Sequence, residues 1–321
     1  MKKTAIITGI TGQDGAYLAK FLLKKNYRVI GLTRGYSNYN NKNLSYLEIS
    51  ELIEIEECDL LDFSSLFKLM LKYQPDEFYN LAAQSSVSLS FEQPIGTINY
   101  NTHSVLSILE CIRILGYSTK FYQASSSEMY GKVKNLPVNE DMPLHPLSPY
   151  AISKASAYWI LTNYRESYGI YGVNGVLFNH ESYLRSPNFF IKKVLKTSLD
   201  IIHKKTDKLI VGNIDIKRDF GYAKDYVKAM YLSLQQNNPD DYLICSGQSL
   251  FLRDIIYYVF EKLNISKSKL FEDSKLFRPT EIEDIYGDNT KAKKQLGWEY
   301  NKTFYDVLDI LIDEEIKNYI I

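Results

Sequence analysis

Cysteine is scarce in this chain: three in 321 residues, Cys58, Cys111 and Cys245, far apart and with no CxxC pair. That spacing supports neither a zinc site nor a disulfide framework, and reads as small buried hydrophobes in a reducing compartment. No charge of one sign prevails, because 38 lysines and arginines balance 38 aspartates and glutamates. Without a net field, bulk attraction to nucleic acid or to an anionic membrane is excluded, and an anionic ligand has to be held by particular basic residues. Long apolar runs are missing as well. The segment from Met1 to Ile7 starts like a secretory leader, but Gly9, Gln13 and Asp14 break it, and no stretch suits a membrane span. Repeats, low-complexity tracts and flexible linkers are also lacking. The expectation is a cytoplasmic protein that binds through a defined site.

What is present is rhythm. Thr4 to Ile7, Arg28 to Leu32, Leu52 to Ile55, Glu77 to Leu81, Lys120 to Ala124 and Val173 to Phe178 read as short strands, with helical patterns between them. Repeated βαβ units predict an α/β fold, a doubly wound parallel sheet of the Rossmann type. Beyond Asn179 the pattern turns irregular, which predicts a smaller, discontinuous C-terminal substrate lobe. The expected division is residues 1–178 with parts of 213–240 for the dinucleotide-binding domain, and 179–212 with 241–321 for the lobe.

Between the first strand and the first helix runs Thr8-Gly9-Ile10-Thr11-Gly12-Gln13-Asp14-Gly15, a GxxGxxG spacing. Glycines there permit a tight turn and close backbone approach to a pyrophosphate, while the helix N-terminus offers unpaired N–H groups and partial positive charge. At the end of the second strand an acid would bind a ribose hydroxyl; the sequence has Arg34 instead, with Ser37 as a second donor. That pattern favours the 2'-phosphate of NADP. NAD, with Arg34 as a plain surface residue, is the alternative.

Ser148-Pro149-Tyr150-Ala151-Ile152-Ser153-Lys154 sets a tyrosine and a lysine four apart at the start of a helix, on one face. Phenol is a poor base at neutral pH, but neighbouring positive charge favours phenolate. The preceding strand leads into Ser125, Ser126, Ser127 and Glu128 at the end that meets a ligand crevice. A hydroxyl there can hold a sugar oxygen, and a carboxylate can remove a carbon-bound proton next to a ketone.

Together TGxxGQDG, NLAAQS, QASSSExYG, SPYAxSK and NHES, spread from Thr8 to about Trp298, resemble the GDP-mannose 4,6-dehydratase family of extended short-chain dehydrogenases. The resemblance implies that Tyr150 takes the proton of the sugar 4-hydroxyl, that Lys154 holds the cofactor ribose, that Ser126 binds the 4-oxygen, and that Glu128 removes the C5 proton and expels the 6-hydroxyl. Ser127, where dTDP-glucose-type dehydratases carry aspartate, implies the GDP branch. It further implies cofactor contacts at Gly9, Thr11, Gly12, Gln13, Asp14 and Gly15, at Asp59 and Leu60, at Leu81, Ala82, Ala83 and Ser85, and at His180 and Arg185. Substrate contacts are implied at Ser86, Ser127, Asn179, Lys193, Arg218, Arg278 and Glu281. A homodimer or homotetramer is implied, built on the helices containing Lys154 and Val105 to Leu115.

Departures from the family pattern fall at Gly35, Ser86, Gly96 and Tyr183-Leu184-Arg185-Ser186. They leave GDP-N-acetylglucosamine and a GDP-heptose beside GDP-mannose as substrates. A 4-ketosugar reductase or 4-epimerase would need no Glu128, and a non-catalytic redox sensor would need no intact Ser126, Tyr150 and Lys154.

Overall fold

The protein is described by a computed structural model over residues 2–35 and 41–319. In chain order its first half runs β1 (Thr4–Thr8), α1 (Gln13–Lys24), β2 (Arg28–Thr33), α2 (Lys42–Tyr46), β3 (Glu54–Glu57), α3 (Phe63–Tyr73), β4 (Glu77–Asn80), α4 (Val87–Glu92), α5 (Pro94–Leu115) and β5 (Lys120–Ser126). The second half adds α6 (Pro149–Tyr168), β6 (Gly172–Leu177), β7 (Asn179–Glu181), α7 (Phe190–Ile202), β8 (Leu209–Val211), β9 (Lys217–Tyr222), α8 (Ala223–Leu234), β10 (Tyr242–Ile244), β11 (Ser249–Phe251), α9 (Leu252–Lys262), β12 (Leu270–Glu272) and α10 (Phe304–Asn318).

Seven strands form the main sheet in the order β10-β6-β5-β4-β1-β2-β3, all parallel. Apolar faces cover both sides, as a parallel sheet requires. On one side Tyr17, Leu18 and Leu22 of α1 pack with Val227 and Met230 of α8. On the other, Leu66 and Met70 of α3 meet Val105 and Ile108 of α5 and Leu161 of α6. A third core joins α7, α9 and α10 through Val194, Ile255, Phe304 and Leu308.

Two positions differ from the sequence expectation. The third strand begins at Glu54 rather than Leu52, because Ser50–Leu52 closes a 3-10 turn. Tyr242–Ile244, within the range expected for the lobe, pairs with β6 and adds the seventh strand. Three residues are too few to display a period in sequence.

The chain changes sheets between β6 and β7. Phe178 still bonds to Ile244 of β10, while Asn179 to Glu181 pair in parallel with Phe220 to Tyr222 of β9. Since β9 also pairs antiparallel with β11, a three-stranded sheet rises beside the C-terminal ends of the main strands. That is where ligands bind in open α/β folds.

Candidate active site

β1 ends at Thr8 and the backbone turns at Gly9 with φ +67°, where a Cβ would press within 3.0 Å of the Ala82 nitrogen. The Gly12 N–H donates to the Gly9 carbonyl at 2.9 Å. A Cβ on Gly15 would lie 2.3 Å from that same carbonyl oxygen, so α1 sits directly on the turn. The result is a side-chain-free cradle beside helix N–H groups that have no intrahelical partner, a shape that fits a dinucleotide pyrophosphate.

Gln13 and Asp14 fasten this turn to β7. Gln13 donates to the His180 carbonyl at 3.1 Å and accepts from the Ser182 hydroxyl at 2.7 Å. His180 Nε2 meets Asp14 Oδ2 at 2.8 Å, and its Nδ1 meets the Phe178 carbonyl at 2.6 Å. Two oxygen acceptors suit the imidazolium. Burial alone would favour neutral His180, but the charge and hydrogen bond of Asp14 outweigh it and raise the histidine's pKa. For Asp14 burial pushes upward, yet His180 and Arg185 hold its carboxyl below the ordinary value. Arg185 also approaches buried Glu181 at 3.5 Å and lies over the Phe189 ring.

The strand ends are tied together next. Thr8 Oγ1 donates to Asn80 Oδ1 at 2.7 Å and accepts from the N–H groups of Leu81 and Ala82, both at 3.0 Å. Asn80 Nδ2 donates to Gln123 Oε1 at 2.8 Å. Leu81, Ala82 and Ala83 line this level half-buried, and Ser85 is exposed. Ser86 caps α4 by accepting from Leu89 N–H.

Ser126 closes β5, and Ser127 and Glu128 follow in a 3-10 turn; the Glu128 N–H donates to Ser126 Oγ at 3.3 Å. On α6, the Ser148 hydroxyl accepts from Ala151 N–H and Pro149 opens the helix, which fixes where Tyr150 and Lys154 emerge. Tyr150 is 8% exposed and burial pushes its pKa up to about 12; the Ser126 hydroxyl and the charge of Arg185 pull against that, while Glu128 pushes with it. Lys154 donates to the Ala124 carbonyl at 2.7 Å, with its nitrogen 5.9 Å from the Tyr150 ring centre, and burial pulls its pKa down to about 8. In this state the lysine anchors on β5 rather than on the phenol.

Beyond Glu128 stands Arg218 of β9, its Nε 4.0 Å from the carboxylate. Two backbone carbonyls, of Lys217 and Ile282, and Glu281 hold the guanidinium. Arg278 reaches Glu281 as well, at 3.4 Å. Asn179 is half-buried at the start of β7. Lys193 is half-buried near the start of α7 and forms no ion pair among the described residues. On the far side of the cradle, Arg34 is exposed and lies 5.3 Å over the Tyr100 ring. Asp59 is exposed and accepts from Leu61 N–H, and Leu60 is buried. Ser37 lies outside the described residues.

One brace went unread in the sequence. Asn101, buried inside α5, accepts from Gln84 N–H, donates to the Gln84 carbonyl, and donates to Ser153, whose hydroxyl bonds to the Tyr150 carbonyl. It locks the loop after β4 to the helix carrying Tyr150. No local pattern marks it, because Asn101 stands in a polar stretch of α5 between Asn99 and Ser104.

Comparison with known proteins agrees with this geometry. A family model described as GDP-mannose 4,6 dehydratase matches residues 6–311. GDP-mannose 4,6 dehydratase 1 of Arabidopsis thaliana is 42% identical, covering 98% of this chain and 90% of the relative. GDP-mannose 4,6-dehydratase of Vibrio cholerae is 39% identical, covering 99% and 95%. Among solved structures, UDP-glucose 4-epimerase of Thermotoga maritima superposes with TM-score 0.88 at 23% identity over 98% of this chain and 99% of its own. A dTDP-glucose 4,6-dehydratase of Streptomyces venezuelae, solved with NAD, gives 0.88 at 22%, over 98% and 97%. Likeness at that identity establishes the fold alone, whereas the closer sequence matches run the length of the chain. The chain belongs to the GDP-mannose 4,6-dehydratase family.

Proposed function

We propose that this protein is a hydro-lyase that converts GDP-mannose to its 4-keto-6-deoxy derivative with a nicotinamide cofactor, NADP, held throughout. The observation that carries the reading is a carboxylate, Glu128, two residues beyond Ser126 at the end of β5, with its N–H donating to the Ser126 hydroxyl. A reductase or epimerase has no task for that carboxylate.

Tyr150 accepts the proton of the 4-hydroxyl while Ser126 holds the oxygen. When bound, the nicotinamide supplies an acceptor for the C4 hydride and a donor to C6. Tyr150 rests as phenol at neutral pH, so its ionisation draws on positive charge: Arg185 already lowers it, and Lys154, mostly protonated at neutral pH, adds to that once the site is filled. Once C4 is a ketone, Glu128 takes the C5 proton and passes a proton to the departing 6-hydroxyl, which leaves as water; C5 then takes a proton from solvent, and Tyr150 releases to solvent the proton it accepted from the 4-hydroxyl. Arg218, Arg278 and Glu281 meet the nucleotide diphosphate and ribose, a reading supported by their mutual ion pairs beside Glu128. The exposed guanidinium of Arg34 is the ground for NADP over NAD.

Purified protein incubated separately with GDP-mannose, GDP-N-acetylglucosamine and dTDP-glucose, without added reductant, tests the reading by mass spectrometry. Loss of one water from GDP-mannose is expected. Water loss from another sugar alone would reassign the substrate, and no loss from a wider panel would remove the dehydratase reading.

A further inference from the structure

Asn43 does something the catalytic scheme does not use. It lies on α2, and its side-chain amide spends one N–H on each of two distant loops: Nδ2 donates to the Thr11 carbonyl at 2.9 Å and to the Leu184 carbonyl at 3.3 Å. Thr11 belongs to the glycine-rich cradle, and Leu184 to the segment after β7. One side chain thus pins the cradle to the turn that follows β7. The surrounding segment is firmly seated: Leu44, Leu47 and Ile49 are buried in the same core as Tyr17, Leu22 and Leu184. Lys20 of α1 donates to the Leu47 carbonyl at 3.0 Å. Tyr46 packs on Tyr183 with ring centres 4.8 Å apart and reaches Glu314 of α10. Lys192 donates to the Tyr183 carbonyl and pairs with Glu315, extending the connection into α10.

We infer that Asn43 is a positioning residue for cofactor retention: it keeps the cradle and the post-β7 segment at a fixed separation, so that a bound dinucleotide leaves slowly. This rests on the proposed dehydration, in which the nicotinamide must stay in place between losing and returning a hydride. Opening the cleft to release it requires the Thr11 and Leu184 carbonyls to part. While the Asn43 amide bonds both, that opening breaks two hydrogen bonds at once.

The test uses the whole protein loaded with NADP, or with NAD if only that is retained. After excess is removed by gel filtration, the protein is mixed with radiolabelled cofactor without sugar, and label uptake gives the exchange rate. Asn43→Leu keeps the volume and removes both donors; exchange is expected to rise about tenfold. Asn43→Ala makes the same test should the leucine misfold. Arg253→Ala removes the bonds from α9 to Asp215 and Glu272, none of them in the cradle or the segment after β7, and is expected to exchange at the wild-type rate. Wild-type exchange rates in both Asn43 variants would overturn the inference. So would an equal rise in Arg253→Ala, or wild-type protein that loses its cofactor during gel filtration. No sugar enters the assay, so these results stand apart from any failure of the dehydratase reading.

Discussion

The proposed reaction gives Glu128 and Tyr150 separate proton tasks, and their replacement should separate them. Glu128→Gln is expected to lower the rate of water loss by about 10²–10⁴ while leaving cofactor binding intact, measured by mass spectrometry and by cofactor titration. Tyr150→Phe should lose activity by a similar factor at an earlier step. Lys154 gives a pH prediction. Its pKa falls from the ordinary lysine value to about 8, so the charge that aids Tyr150 is lost above that pH and kcat/KM should decline there. Between about 8 and the ordinary value of 10.5 the unfolded chain binds more protons than the folded one, so this group's part in stability rises with pH across that window. A decline in activity above pH 8 that tracks thermal unfolding would contradict the assignment. The four residues proposed to be catalytic stand out in the sequence because tyrosine, lysine, serine and glutamate sit at fixed spacings around a strand end. Asn101 and Asn43 do not, since each acts by bonding backbone groups distant in sequence.

The cradle and the Asp14–His180 pair belong to the scale of elements. Gly15→Ala would place a methyl against the Gly9 carbonyl, which is backbone and cannot swing aside. A loss of about 1–3 kcal/mol in unfolding free energy is expected, with weakened dinucleotide binding. His180 has a raised pKa, so its share of the pair's stability is fully present below about 6.5 and is lost as pH rises through the folded value. Asp14 has a lowered one, so its share is present above about 3.8 and is lost as pH falls through the folded value. His180→Asn should therefore cost about 1–3 kcal/mol near pH 6 and less as the pH becomes alkaline. A deficit in melting temperature independent of pH would contradict the ion pair. Longer strands were readable from their apolar runs, and the GxxGxxG spacing marked the first crossover. β10, at three residues, was not, because tertiary pairing with β6 rather than local pattern defines it.

At the scale of the molecule, the doubly wound sheet followed from alternation of strands and helices, while the small second sheet depends on Phe178 and Asn179 passing from one sheet to the other, which no local pattern announces. The outer faces of α5 and α6 expose Ile114, Ile152 and Trp159. We propose that a second copy covers them. Light scattering should give a dimer or tetramer, and Trp159→Glu should shift it toward monomer; a wild-type monomer at working concentration would contradict this. Dehydration with internal return of hydride is tested by GDP-mannose carrying deuterium at C4, incubated with the protein in ordinary water and examined by mass spectrometry and NMR. Internal return predicts a product lighter by one water with the deuterium retained at C6. Deuterium lost to solvent or to added cofactor, or substrate recovered intact, would contradict it.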